Sequence, residues 1–337
     1  MNIQLKPLRE QVVVITGASS GIGLVTAKAA AAAGASVVLA ARNQHDLREA
    51  VDDIRRRGGR ATLVATDVSN PSDVEALGAA AASTYGRIDT WINNAAVAVY
   101  GRIMEVSLDE MRQQFDINYW GVVHGSRVAV PYLRAGGGAL INVGSVLSDR
   151  AIPLQGNYSA AKHAVKAFTD SLRMELEEEG APVSVTLIKP SSIDTPFFDK
   201  ARSHMGVEPQ PVPPVYAPEL VADAILAAAV RPLRDIVVGG SGRLISIAAM
   251  APRLTDAYME RTLFESQKTD KPVSGRPDNL FGPVAHDGGE RGHNWEGRTM
   301  RRSATTAAAL HPQATAVTLA SAAAFALAAY VRRTRLS

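Results

Sequence analysis

Apolar positions recur along this chain in two alternating rhythms. Short runs of β-branched and aliphatic residues fall near 12–16, 36–40, 61–65, 88–92, 139–143, 183–188 and 235–238, and they read as strands buried on both faces. Between them, helical spacing of apolar residues appears near 21–33, 43–57, 70–85, 107–134, 156–179 and 217–230, with Asn43, Asn70 and Ser107 as opening caps. Strand and helix alternate to about residue 240, which predicts an α/β fold: a doubly wound parallel sheet of about seven strands with helices on both faces. In such a sheet a ligand sits outside the carboxyl ends of the strands.

The rhythm changes after residue 240, so residues 1–240 are expected to form the main domain. Within 241–264, Leu244, Ile245, Ile247, Ala248, Ala251, Leu254, Tyr258 and Leu263 keep helical spacing around Pro252. They predict a helical extension that flanks the ligand crevice, faces a partner subunit, lies on a membrane surface or adds to the core. Residues 265–313 are rich in Gly, Pro, Asp, Arg and His and read as a flexible linker. His286 and His293 there have no metal-ligand spacing, and no metal site is expected. Residues 314–331 are uncharged and end at Arg332, Arg333 and Arg335, a length that just spans a bilayer, so 314–337 is an alanine-rich transmembrane candidate or a soluble helix.

Composition narrows the class. The chain has 337 residues, 46% of them hydrophobic, enough for one large core. It has no cysteine, which excludes disulfides, thiolate metal sites and cysteine nucleophiles. The apolar run at Val12 ends in a glycine turn and makes no secretory signal, so a cytoplasmic catalytic domain is expected, with membrane anchoring by the tail as an option. Residues 264–337 carry ten basic and six acidic side chains, a net of +4 against +3 for the whole chain. The basic character therefore belongs to the tail, where it suits solubility or anionic lipid; a nucleic-acid signature is missing.

Two patterns carry candidate chemistry. Val12–Thr16 leads into Gly17, Ala18, Ser19, Ser20, Gly21, Ile22 and Gly23 and then an alanine-rich helix, a strand, glycine turn and helix whose backbone can admit a pyrophosphate at the helix N-terminus. A glycine-rich turn without a ligand is the alternative. Tyr158 and Lys162 stand one helical turn apart, and Ser145 closes an apolar run thirteen residues before the tyrosine. A lysine there can lower the pKa of a phenol and fit it for general acid–base work; the alternative is a solvated helix face.

The series Thr16–Gly23, Asn93-Asn94-Ala95-Ala96, Asn118, Ser145 and Tyr158-x-x-x-Lys162 resembles the classical short-chain dehydrogenase/reductase family over about residues 10–240. The resemblance implies a Rossmann-type fold and hydride transfer between a nicotinamide cofactor and an alcohol or carbonyl. It implies that Ser145 binds the substrate carbonyl, Tyr158 exchanges the proton, Lys162 binds the nicotinamide ribose and keeps the phenol acidic, and Asn118 positions a relay water. It further assigns Asp67 and Val68 to the adenine, Asn94 to the cofactor ribose, and Pro190, Ile193 and Thr195 to the nicotinamide side. Two departures stand out: Ala96 where the family has glycine, and Ser191 after Pro190 in place of Gly.

At the end of the second strand Arg42 stands where an NAD-preferring site offers an acid. A guanidinium pairs with a 2′-phosphate, so NADP(H) is the expected cofactor, with Ser19 or Ser20 as helpers and NAD(H) as the alternative. A solvated arginine is the other reading. Substrate recognition is expected from 97–105, 146–155 and 197–218, the last a mobile lid; Phe197, Phe198, Met205, Val207, Val146, Leu147 and Leu154 suggest an apolar pocket, or a packed loop without substrate contact. A homo-oligomer through the helices near 107–134 and 156–179 is expected by analogy. The competing function classes are a non-catalytic dinucleotide-binding sensor and a membrane-tethered scaffold.

Overall fold

A computed structural model describes residues 3–240, 251–311 and residue 315. Seven parallel strands form the central sheet: β1 (Val12–Thr16), β2 (Ser36–Ala41), β3 (Arg60–Ala65), β4 (Thr90–Asn93), β5 (Gly138–Val143), β6 (Val183–Pro190) and β7 (Asp235–Val238). Their spatial order is β7-β6-β5-β4-β1-β2-β3. The order reverses beside β1, which pairs with β2 through Val14 and Val38 and with β4 through Val14 and Trp91.

Strand alternation builds two cores. Val13, Ile15, Val37 and Leu39 enter one cluster with Leu24, Ile54 and Ile225, while Val12, Val14, Val38 and Ala40 enter another with Leu77, Leu133 and Leu176. Successive side chains of a strand point to opposite faces, so a run apolar at every position requires cover on both. One face is covered by α1 (Gly21–Ala32), α2 (Gln44–Arg56) and α7 (Pro218–Val230), the other by α3 (Pro71–Tyr85), α5 (Gly121–Gly136) and α6 (Gly156–Glu178). Asn43 caps α2 by accepting from Asp46 N at 3.1 Å, and Asn70 caps α3 by accepting from Ser72 N.

The helix expected over 107–134 is interrupted. Ser107 and Glu110 form a capping box at the start of α4 (Leu108–Phe115), a π-helical turn follows over Asp116–Trp120, and α5 begins at Gly121. Such turns insert one residue into the helical register and re-aim a side chain. Here the side chain is that of Asn118, whose Oδ1 accepts from Val97 N and whose Nδ2 donates to Val97 O, both at 2.9 Å.

The C-terminal region differs from a loose linker. Helix α8 (Pro252–Ser266) is followed by Lys268–Pro272, which pairs antiparallel with Val207–Pro209, and Thr299–Met300 pairs with Val215–Tyr216. Residues 265–311 therefore lie on the main domain, held by backbone pairing and ion pairs instead of an apolar stripe, which is why their composition resembles that of a linker. The proline-rich stretch 197–218 is the partner in these pairings, and its Arg202–Ser203 also pairs with Val99–Tyr100. Leu244, Ile245, Ile247 and Ala248 and nearly all of 314–337 lie outside the described residues, and among the described residues no helix is long and apolar enough to cross a membrane.

Candidate active site

The glycine turn and the Ser145, Tyr158 and Lys162 side chains open on one cavity of about 510 Å³ at the carboxyl ends of the strands. Gly17 and Gly21 have φ of +65° and +52°, a left-handed backbone that disfavours other residues. At Gly23 a Cβ would stand 2.2 Å from Gly17 O. Thr16 ties the turn to β4: its Oγ1 accepts from Asn94 N at 3.0 Å and Ala95 N at 3.1 Å, and Asn94 Nδ2 donates to Thr16 O at 2.9 Å. Ala96 has no positive φ, so the missing glycine causes no backbone strain.

Behind Asn94 lies a buried polar chain. Trp91 Nε1 donates to Asn93 Oδ1 at 2.8 Å, Asn93 Nδ2 to Asn142 Oδ1 at 2.9 Å, and Asn142 Nδ2 to Thr169 Oγ1 at 2.9 Å. Each buried amide thereby finds a partner, and β4, β5 and α6 are tied together behind the catalytic motif.

Ser145 follows β5, and its Oγ accepts from Leu147 N at 3.1 Å. Tyr158 and Lys162 lie on α6, both buried. Burial pushes the Tyr158 phenol up to about 12, against a hydrogen bond with Ser145 that lowers it. Burial pulls Lys162 down to about 8; its Nζ donates to Val143 O at 2.8 Å and lies 5.7 Å from the centre of the Tyr158 ring. Desolvation is the largest cause of the Tyr158 shift. The Asn118 side chain bonds both backbone groups of Val97, in the loop after β4.

At the cavity wall after β3, Asp67 Oδ1 accepts from Ser69 N at 3.0 Å, and Val68 O is bonded by His124 Nδ1 at 3.0 Å. Arg42 reaches the cavity rim, where the Asn279 and Leu280 carbonyls accept from its guanidinium. At the wall after β6, Pro190 ends the strand, Ile193 bridges to Tyr216, and Thr195 is buried against Gly21. Ser191, in the position of the family's glycine, donates from Oγ to Val238 O at 2.7 Å.

Part of the remaining wall is apolar. Val146, Leu147, Phe197 and Phe198 line it, as do Tyr258, Met259 and Leu263 of α8. Met205 instead packs behind Phe197 and Phe198, and Val207 is in a strand pairing. Tyr100, Lys200 and Asp287 also line the cavity, and none of the three is singled out by a motif. Tyr100 is fully buried, its hydroxyl has no partner, and burial followed by the charge of Tyr158 raises its pKa. Lys200 and Asp287 meet across 87 positions of sequence, which no local pattern signals. At the surface beside them, His45, Asp46 and His286 bring one ligand-type atom each within 4.8 Å of one another.

Residues 11–206 match the profile of the short chain dehydrogenase family. An uncharacterized oxidoreductase, YxnA, of Bacillus subtilis (strain 168) is 44% identical over 330 residues, 97% of this chain and 92% of the relative. An alcohol dehydrogenase from the archaeon Thermococcus sibiricus, solved with 5-hydroxy-NADP, superposes with a TM-score of 0.59 at 25% identity, covering 67% of this chain and 95% of that one. A variant of actinorhodin polyketide ketoreductase, solved with NADPH, gives a TM-score of 0.53 at 30% identity, covering 56% and 73%. A profile match over more than half of the sequence, with a relative aligned along nearly all of it, shows that this oxidoreductase belongs to the short chain dehydrogenase family.

Proposed function

We propose that the chain is an NADP(H)-dependent oxidoreductase that interconverts an alcohol and a ketone or aldehyde on an apolar substrate. The observation that carries this reading is the convergence of Ser145, Tyr158 and Lys162 with the glycine turn on one cavity whose outer wall is aliphatic and aromatic. The turn fits a dinucleotide: Gly17 and Gly21 line the cavity with left-handed backbone, Gly23 packs where a Cβ would clash, and the turn stands at the N-terminus of α1. Arg42 at the rim is the cation that suits a 2′-phosphate. Two structural relatives solved with NADP-type cofactors support the same choice.

When bound, the nicotinamide supplies or accepts the hydride. In the reductive direction Ser145 holds the substrate oxygen by a hydrogen bond. Tyr158, neutral because of its burial, transfers its phenolic proton to that oxygen as negative charge develops there. Lys162 sits below the ring, where its ammonium stabilises the phenolate left behind, and solvent restores the proton. Asn118 and the Asn93–Asn142 pair keep the strand ends that carry these groups in register.

The test is the loss of reduced-nicotinamide absorbance on apolar ketones and aldehydes with NADPH and with NADH, using the full chain and a Tyr158→Phe control. Turnover with NADPH that the control abolishes is expected. Binding of NADPH without turnover on any carbonyl would instead favour a dinucleotide sensor.

A further inference from the structure

Lys200 is a buried lysine that no motif singles out, 9% exposed and in the wall of the cavity. Its Nζ donates to Ser20 Oγ at 2.8 Å and to Asp287 Oδ1 at 3.0 Å. Ser20 is the N-cap residue of α1, but its side chain makes no capping bond and is turned to the lysine instead. An ammonium removed from water needs counter-charge and polar partners. Desolvation lowers the Lys200 pKa, while Asp287, Asp46 and Asp199 act in the opposite sense.

Asp287 belongs to a segment, 279–290, that runs along the rim of the same cavity. The Asn279 and Leu280 carbonyls accept from Arg42, and the Val284 carbonyl accepts from Asn43 Nδ2 at 3.0 Å. Farther along, Asp287 N donates to Asp46, the Gly289 carbonyl accepts from Gly21 N at 2.8 Å, and Glu290 pairs with Lys28 at 2.7 Å. All these anchors lie on α1, on α2 or on the turns leading into them. The segment lies beyond the 11–206 family match, yet the Bacillus subtilis relative aligns over 97% of the chain.

We propose that Lys200 binds the diphosphate of the dinucleotide and that segment 279–290 is part of the cofactor site, its Asp287 holding the ammonium until the diphosphate takes over that charge. The inference rests on the dinucleotide reading above and extends it to residues outside the family motifs. A cation beside the first turn of α1 adds to the field of the helix N-terminus, where an anion is already favoured. Asp287 then has two effects: it keeps the buried lysine satisfied without ligand, and its negative charge opposes the incoming diphosphate.

Equilibrium binding to the full chain tests this with three probes: NADPH, ADP, which has the diphosphate alone, and 2′-AMP, which has the ribose phosphate alone. Lys200→Met is expected to weaken NADPH and ADP about tenfold or more and to leave 2′-AMP within about twofold; Lys200→Arg should retain most of the affinity. Asp287→Asn keeps the backbone anchor, and it is expected to tighten ADP and NADPH about threefold while lowering the melting temperature of the ligand-free protein. A purely structural ion pair predicts equal changes for all three probes with Lys200→Met and no gain with Asp287→Asn, and either result would overturn the proposal. Because the probes report binding alone, a wild-type chain that binds ADP through Lys200 yet turns over no carbonyl would sink the catalytic reading and leave this one standing. Normal NADPH turnover with unchanged ADP binding in Lys200→Met would do the reverse.

Discussion

The Lys162 ammonium donates to the Val143 carbonyl at 2.8 Å and stands 5.7 Å from the centre of the Tyr158 ring, so the two residues share a helix face without sharing a hydrogen bond. Lysine is thus pinned to the end of β5, the strand that leads to Ser145, and tyrosine is left with Ser145 as its polar neighbour. This division of partners sets the first two predictions.

Removing the phenolic hydroxyl should stop proton transfer and spare the cofactor. Tyr158→Phe is expected to lower kcat by about 100-fold or more with NADPH affinity within about threefold, measured by single-turnover absorbance and by fluorescence titration. Since the phenol sits at about 12 in the free protein, the proton donor is present throughout the neutral range. Reduction should not decline between about pH 6 and 8 for want of acid, whereas alcohol oxidation, which needs the phenolate, should rise with pH. A reduction rate that collapses in that interval would assign the proton to another group.

Lys162 makes folding stability depend on pH in a defined sense. Its folded pKa of about 8 lies below the ordinary lysine value of 10.5, so from about 8 to 10.5 the unfolded chain binds the extra proton and stability rises with pH. Below about 8 the folded protein carries the whole cost of the buried ammonium, on the order of 3 kcal/mol. Lys162→Met should flatten the stability–pH curve in that window when denaturant unfolding is followed at several pH values. A difference between wild type and variant that does not change with pH would show that lysine is solvated in the fold.

Arg42 is tied to the Asn279 and Leu280 carbonyls, which orient its guanidinium at the rim. Arg42→Ala should raise the Kd for NADPH by about 10-fold to 100-fold while moving that for NADH less than about threefold. Equal losses for both cofactors would mean that the arginine only fastens the C-terminal segment.

Gly23 tests the close packing of turn and helix. A Cβ there would meet Gly17 O at 2.2 Å and Asn94 Nδ2 at 2.7 Å, and backbone cannot yield to it as a flexible side chain would. Gly23→Ala is expected to cost at least about 2 kcal/mol in urea unfolding and to abolish dinucleotide binding. Gly58→Ala is the control for loss of a glycine whose Cβ position is open, since nothing lies within 4 Å there, although its φ of +84° adds local strain. Unchanged cofactor affinity in Gly23→Ala would contradict the pyrophosphate assignment of the turn.

Much of the fold was legible because the information is local. Val12–Ile15 is apolar at every position because both faces of β1 are buried, and the glycines that follow answer a backbone requirement that only they meet. Tyr158 and Lys162 advertise themselves by one helical turn. The π-turn at Asn118 was not legible, because it depends on a side chain bonding to Val97, in a loop 21 positions away. Nor did the sequence reveal that burial, outweighing the hydrogen bond with Ser145, would dominate the Tyr158 phenol, since desolvation depends on everything packed around the ring.

The sequence alone determined the alternation of strands and helices and the order of the motif residues, since periodicity and backbone demands act within a few positions. Only the tertiary structure decided that residues 279–290 border the cavity and that Lys200 meets Ser20 and Asp287, 180 and 87 positions away. That segment is held by carbonyls, amides and single ion pairs, which impose no hydrophobic period on the residues that supply them. Its place became visible only once the chain had closed upon itself.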